Sequence, residues 1–307
     1  MFNFRNIALA FQNRFMGFDP VLNTLDTVDI SNQQPIFLIG APRSGSTAFI
    51  QAAYRCLQLS YISNLMALLP RCMVRITRIY PNAATGYKGH IMPGEFGYIP
   101  GLFSPNEAGE IMRFWFDGDR TESEFVKINL TINVITAITG NPVFLKNQTN
   151  TLRAQKIKEI LPGCRFLYLY RDPIYTAQSI LLARRKLGNN DMEWWSVKPP
   201  GYEKILQRDI YYQVVWQVLQ LNSLCERVIS NSGEHGLTIR YEHFCAEPVT
   251  IMKNLASRFS LDLRQDHPSS LNLSSANSIK LSDAEWAKLR NAHENIRSDD
   301  LDHNNYS

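Results

Sequence analysis

The sequence predicts an α/β fold with a central parallel sheet flanked by helices, organised as a single domain over residues 1–307. Three observations lead there. The apolar runs Ile36-Phe-Leu-Ile39 and Phe166-Leu-Tyr-Leu-Tyr170 read as strands buried on both faces. Helical patterns alternate with them, as a parallel sheet requires. A glycine-bearing turn leads directly from the first strand into a helix.

Taken in order, the first strand is 36–39 and the helix after it 47–59, where Phe49, Ala53 and Leu57 form one stripe. Residues 61–142 contain the Gly/Pro-rich stretch PNAATGYKGHIMPGEFGYIPGLFSPNE and read as an irregular, substrate-facing cover inserted in the domain. Val143-Phe-Leu145 and Leu237-Thr-Ile239 are short strand candidates. Helices are expected over 150–161, stopped by Pro162-Gly163, and over 174–187, 209–230 and 248–260, the last opening on Pro248. Ser282-Asp-Ala-Glu285 is a capping box that opens a C-terminal helix.

The 307 residues are 45% hydrophobic and 20% charged, a globular composition that excludes disordered, collagen-like and coiled-coil chains. A net charge of +4 is too diffuse for a nucleic-acid partner and suits an anionic small ligand. The five cysteines, Cys56, Cys72, Cys164, Cys225 and Cys245, show no CxxC spacing, so neither a disulfide framework nor a zinc site is expected. No apolar run reaches the ~20 residues of a membrane span. The first 20 residues read as an amphipathic helix, with peripheral membrane contact as the alternative. Lacking a secretory cleavage pattern, the chain is expected to be cytoplasmic.

Gly40-Ala-Pro-Arg-Ser-Gly-Ser-Thr47 lies between strand and helix. Backbone N–H groups in such a loop converge with the positive end of the helix dipole, which makes an anion site. Against the GxxxxGK[ST] phosphate loop, Gly40, Gly45 and Thr47 fit, the lysine position holds Ser46, and the cation comes earlier, at Arg43. Ser44, Ser46 and Thr47 add hydroxyl donors. A second cation, Arg171, ends the strand at 166–170, where ligands bind in open parallel sheets. Asp172 reads either as a carboxylate for Mg²⁺ or as a helix cap, and the following Pro173 favours the cap.

These residues resemble the sulfotransferases that use 3′-phosphoadenosine 5′-phosphosulfate (PAPS) and release 3′,5′-ADP. The segment PRSGST is similar to their 5′-phosphosulfate loop. Arg171 followed eight residues on by Ser179 is similar to their 3′-phosphate site. The resemblance implies a P-loop-like fold and a sulfuryl transfer to a hydroxyl or amine acceptor, a sugar or glycoconjugate first and a small alcohol or phenol next, with no metal required. It also implies roles. Arg43 contacts the bridging oxygen and the sulfuryl group. Ser44, Gly45, Ser46 and Thr47 hold the 5′-phosphate, and Arg171 and Ser179 hold the 3′-phosphate. Lys146, in Phe144-Leu-Lys, stands beside the sulfuryl group, and Tyr241, in the Tyr-Glu pair after 237–239, lies near the adenine. Lys280 is a further cationic candidate, with a solvated lysine the stronger reading.

The resemblance breaks at Gln148, where cytosolic members place a catalytic histidine. Glutamine cannot accept a proton, so a base is expected from the cover: Glu107 first, with His90, Glu95 and Glu110 as alternatives. Glu107 also reads as a helix-start cap. Trp194-Trp195 in a Pro/Gly loop reads as a lip of the site or as a structural plug. Two other functions fit parts of the pattern: a P-loop kinase of a small metabolite, opposed by Ser46, and a non-catalytic nucleotide-binding module, favoured by Gln148.

Overall fold

The computed structural model describes residues 16–24, 34–89, 91, 97–187, 191 and 193–296. His90, Glu95 and residues 1–15, which hold most of the expected N-terminal helix, lie outside them. Four strands, β1 (Ile36–Ile39), β2 (Phe144–Lys146), β3 (Arg165–Tyr170) and β4 (Gly236–Arg240), form one sheet in the order β2-β1-β3-β4. Every pairing is parallel, with Leu38 opposite both Lys146 and Leu167 and Tyr168 opposite Thr238. β1 and β2 are buried along their whole length, as their unbroken apolar runs require.

The helices, in chain order, are α1 (Ser46–Cys56), α2 (Asn64–Leu68), α3 (Met73–Ile79), α4 (Asn82–Thr85), α5 (Gly109–Phe116), α6 (Glu122–Thr139), α7 (Ala154–Ile160), α8 (Pro173–Leu187), α9 (Ile210–Ser230), α10 (Tyr241–Ala246), α11 (Pro248–Phe259) and α12 (Asp283–Asn295). One core on the sheet joins β1, β3 and β4 to α1 and α11 through Phe49, Leu169, Phe244 and Met252. A second joins Phe37, Phe166 and Tyr168 to α5, α6 and α7. A third packs α8, α9 and α12 together. Among the described residues no helix is long and apolar enough to cross a membrane.

The expectation of an irregular segment over 61–142 is corrected. Five helices occupy much of it, and only 86–108 lacks a helix among its described residues. The largest, α6, has Ile128 and all residues from Leu130 to Thr136 buried, so this part is covered around its circumference and the helix lacks a one-sided apolar stripe. Thr121 and Glu124 form a reciprocal capping box at its start, as Ser282 and Glu285 do for α12.

The strand order changes direction at β1/β3, because the chain leaves β1 for β2 on one side and β3 for β4 on the other. The crevice at the carboxyl ends of β1 and β3 is therefore the place where this topology binds ligands. Gly40–Gly45 and Arg171 line it.

The α6 box predicts a measurable cost. Thr121→Ala should lower the unfolding free energy by about 1 kcal/mol in urea titrations without changing the denaturant slope. An unchanged midpoint would show that the box contributes nothing.

Candidate active site

The loop after β1 enters α1 through two left-handed residues, Arg43 at φ 69° and Gly45 at φ 90°. Gly45 is the N-cap and offers no side chain, so the first-turn N–H groups of α1 receive no side-chain cap. A Cβ at Gly45 would overlap the Tyr241 ring. Ser44 is buried at 1% exposure, and its Oγ has no hydrogen-bond partner among the described residues. A buried hydroxyl left unpaired at the open end of a helix suits an anionic oxygen. Thr47 is half-buried in the first turn of α1. Ser46 Oγ accepts from Gln148 Nε2 at 2.9 Å, so the residue standing where a histidine was expected ties β2's end to the loop.

The two cationic sites that look separate in the sequence are joined through Arg43. Its Nε donates to Ser179 Oγ at 3.0 Å, and its backbone carbonyl accepts from Arg171 Nη1 at 2.8 Å. Arg171 is 6% exposed. Its other nitrogens donate to Asn277 Oδ1 (2.8 Å) and the Ala276 carbonyl (3.1 Å). Ser179 thus meets Arg43 directly, which brings the residue expected to share a 3′-phosphate with Arg171 onto the 5′ loop. Two of the five guanidinium N–H groups of Arg171 remain beyond these three bonds.

Tyr241, expected beside the adenine, sits at the loop. The ring is 5% exposed, lies against Gly45, and stacks under the Arg171 guanidinium at 4.9 Å. Its hydroxyl accepts from the Ala276 N–H at 3.0 Å. It props the loop and Arg171. Asp172 is a cap: its Oδ1 accepts from the Ile174 N–H at 2.9 Å.

Lys146 ends β2 at 3% exposure, with its Nζ in contact with Glu107 Oε1. Burial, then the neighbouring Arg43 charge, pulls Lys146 down to about 7. The contacting carboxylate acts in the opposite direction and favours the ammonium. Arg43 is itself lowered by burial and by Arg171, so three cations share the crevice and disfavour one another.

Glu107 is not a helix-start cap, because α5 begins after it. Ala108 is the N-cap, in the left-handed region at φ 51°, and its N–H donates to Asn106 Oδ1 at 2.7 Å. Asn106 Nδ2 donates in turn to Asn64 Oδ1 at 2.6 Å, and Asn147 Nδ2 reaches the Glu107 carbonyl at 3.4 Å. This bend turns Glu107 toward Lys146 and away from α5. Gly97 lies over the carboxylate, since a Cβ there would overlap Glu107 Oε1. Glu110 pairs with Arg113 on α5 instead.

Sequence reasoning missed the strap over Arg171. Besides Ala276 and Asn277, the Ser278 carbonyl accepts from Gln178 Nε2 at 2.8 Å, and the Lys280 N–H donates to Gln178 Oε1 at 2.7 Å. Asn277 Nδ2 also donates to Glu242 at 2.8 Å. Its clue was the run of Ser and Asn in SSANSIKLS. The Lys280 side chain is exposed. Trp194 packs as a plug, stacked on Arg184 at 4.8 Å and Tyr202 at 5.2 Å. Among the described residues no group of three or more His, Cys, Asp or Glu comes together as a metal cluster.

A model of the sulfotransferase family matches residues 35–265, from the start of β1 to beyond α11. The chain belongs to the sulfotransferase family. Two solved structures share the fold of this sulfotransferase. STF9 from Mycobacterium avium is 13% identical, with a TM-score of 0.51 over 94% of this chain and 73% of that one. STF1 from Mycobacterium tuberculosis H37Rv is 14% identical, with a TM-score of 0.51 over 85% of this chain and 75% of that one. No curated protein matches the chain.

The loop of this sulfotransferase can be tested against a control glycine. Gly45 and Gly118 both have positive φ, but nothing lies within 4 Å of a Cβ added at Gly118. Gly118→Ala should cost about 1 kcal/mol of backbone strain. Gly45→Ala should cost clearly more in the same urea titration, because Tyr241 must also move. Equal losses would show that the Tyr241 contact does not hold the loop.

Proposed function

We propose that the enzyme transfers the sulfuryl group of PAPS to a hydroxyl or amine on a sugar or glycoconjugate. The observation that supports this most is the joining of Arg43, Ser179, Arg171 and Lys146 in one crevice at the carboxyl edge of the sheet. The donor's two anionic ends fit that chemistry: the unpaired Ser44 hydroxyl and open α1 N–H groups for the 5′ side, and Arg171 with Ser179 for the 3′-phosphate. PAPS supplies an activated sulfuryl group, and the protein's task is to orient it and to hold the charge that develops.

In this reading Arg43 and Lys146 stabilise the negative charge that grows on the bridging and sulfuryl oxygens. Glu107 accepts the acceptor's proton on a carboxylate oxygen. Its contact with Lys146 holds base and electrophilic cation side by side. That pairing removes the objection raised by Gln148. The kinase alternative loses ground, because Ser46 is tied to Gln148 and Asp172 caps α8.

Turnover assays that follow release of 3′,5′-ADP from PAPS test the reading. Arg43→Ala should reduce turnover by about 10² to 10³ or more, with a smaller effect on nucleotide affinity. Near wild-type turnover would contradict the mechanism.

Glu107→Gln should reduce turnover by roughly 10² to 10⁴. It should also change the pH profile. A carboxylate stabilises a neighbouring ammonium, so its removal lowers the Lys146 pKa, and activity then falls at lower pH than in the wild type. A variant with full activity and an unmoved alkaline limb would exclude Glu107 as both base and partner.

A further inference from the structure

Away from the crevice, the cover and the α11–α12 connection border an open cavity of about 440 Å³. Its lining differs in kind from the anion site. Four carboxamides face it, Gln58, Asn82, Asn141 and Gln265, together with the Phe103 ring, which is 44% exposed. Asn82 and Gln265 are exposed, and Asn141 is half-buried. The charges present are two cations on one carboxylate: Arg264 pairs with Asp266 at 3.0 Å, and Lys88 lies 4.0 Å from the same group, which leaves a single positive charge in excess.

The walls are fixed by the backbone. Gln58 N–H donates to the Asp262 carbonyl at 2.8 Å and Arg264 N–H to the Cys56 carbonyl at 2.9 Å. On the other side, Tyr61 hydroxyl holds the Phe103 carbonyl at 3.0 Å, and Leu65 N–H the Leu102 carbonyl at 2.8 Å. A formed cavity of this size falls within the range of small-ligand sites.

A carboxamide offers a donor and an acceptor side by side, which matches adjacent hydroxyls, and an exposed aromatic face takes the apolar face of a sugar ring. One excess positive charge, drawn toward a carboxylate, is far weaker for an anionic nucleotide than the three cations of the crevice. We infer that this cavity is a subsite for uncharged sugar residues, so that the acceptor is an oligosaccharide or glycoconjugate held at two places. The inference rests on the reading of the acceptor as sugar-bearing. The chain itself links the two places: Phe103 lines the cavity, and four residues on Glu107 meets Lys146. Helix α1 separates Gln58 from the anion loop by about 16 Å, at 1.5 Å per residue. The sulfated hydroxyl would be presented at Glu107 while sugars further along the acceptor occupy the cavity.

The test is calorimetric titration, without donor, of short neutral oligosaccharides built on glucose, mannose, galactose and N-acetylglucosamine. At least one should bind the wild-type protein. Phe103→Ala should weaken that binding by about tenfold, the size of a lost stacking contact. It should leave the melting temperature unchanged, since the ring is exposed. The double variant Asn82→Ala/Asn141→Ala should weaken binding similarly. If no sugar in the panel binds, or Phe103→Ala binds as tightly as wild type, the inference fails. A protein that binds sugar here yet releases no 3′,5′-ADP from PAPS would support the cavity while removing the donor reading.

Discussion

Three cations held at one edge of a parallel sheet are the constraint on which the rest of the structure depends. Arg171 lowers Arg43, and Arg43 lowers Lys146, so each makes the others harder to keep charged. Such an arrangement is costly in a low-dielectric crevice unless fixed dipoles and anions offset it. The fold supplies several: the Arg43, Ala276 and Asn277 carbonyl oxygens around Arg171, the Tyr241 ring beneath it, and the Glu107 carboxylate on Lys146. A ligand with two anionic ends would offset the remainder.

The same constraint explains the local backbone. Arg43 adopts a left-handed conformation that lets its carbonyl face Arg171 while its side chain turns to Ser179. Ala108 does the equivalent on the cover side, where Asn106 holds the bend that sends Glu107 to Lys146. Non-glycine residues at positive φ cost about 1–3 kcal/mol each, and here two flank the same cations. Strain of this kind persists where surrounding bonds over-determine it, and the Asn64–Asn106 pair and the 276–280 strap are those bonds.

Much of the sheet and the loop was legible from sequence, because strands buried on both faces are unbroken apolar runs and a glycine-rich turn between strand and helix has few other uses. The boundaries of β1 and the start of α8 follow from Ile36–Ile39 and Pro173 directly. The cover was less legible. α6 is buried on all sides and rich in Ile, Val and Thr, so it lacks the one-sided stripe that reveals a surface helix. Its capping box, Thr121 to Glu124, was the available sign and has the same pattern that revealed α12. Contacts made across the chain were out of reach: nothing near Glu107 in sequence specifies Lys146, and nothing near Arg171 specifies Asn277. Tyr241 illustrates the same limit, since a strand-end tyrosine reads equally as a ligand contact or as packing, and its contacts with Gly45 and Arg171 come from distant parts of the chain.

The central claim is that Arg171 and Ser179, joined to Arg43, complete a crevice that recognises a nucleotide phosphorylated at both 3′ and 5′ positions. Calorimetric titration of 3′,5′-ADP against 5′-AMP, on the wild type and on Arg171→Ala and Ser179→Ala, tests it most directly. The account predicts that wild-type protein binds 3′,5′-ADP more tightly and that the preference narrows as salt rises, since charge–charge attraction is screened. Both substitutions should erase it. Equal affinity of the wild-type protein for the two nucleotides would contradict the account.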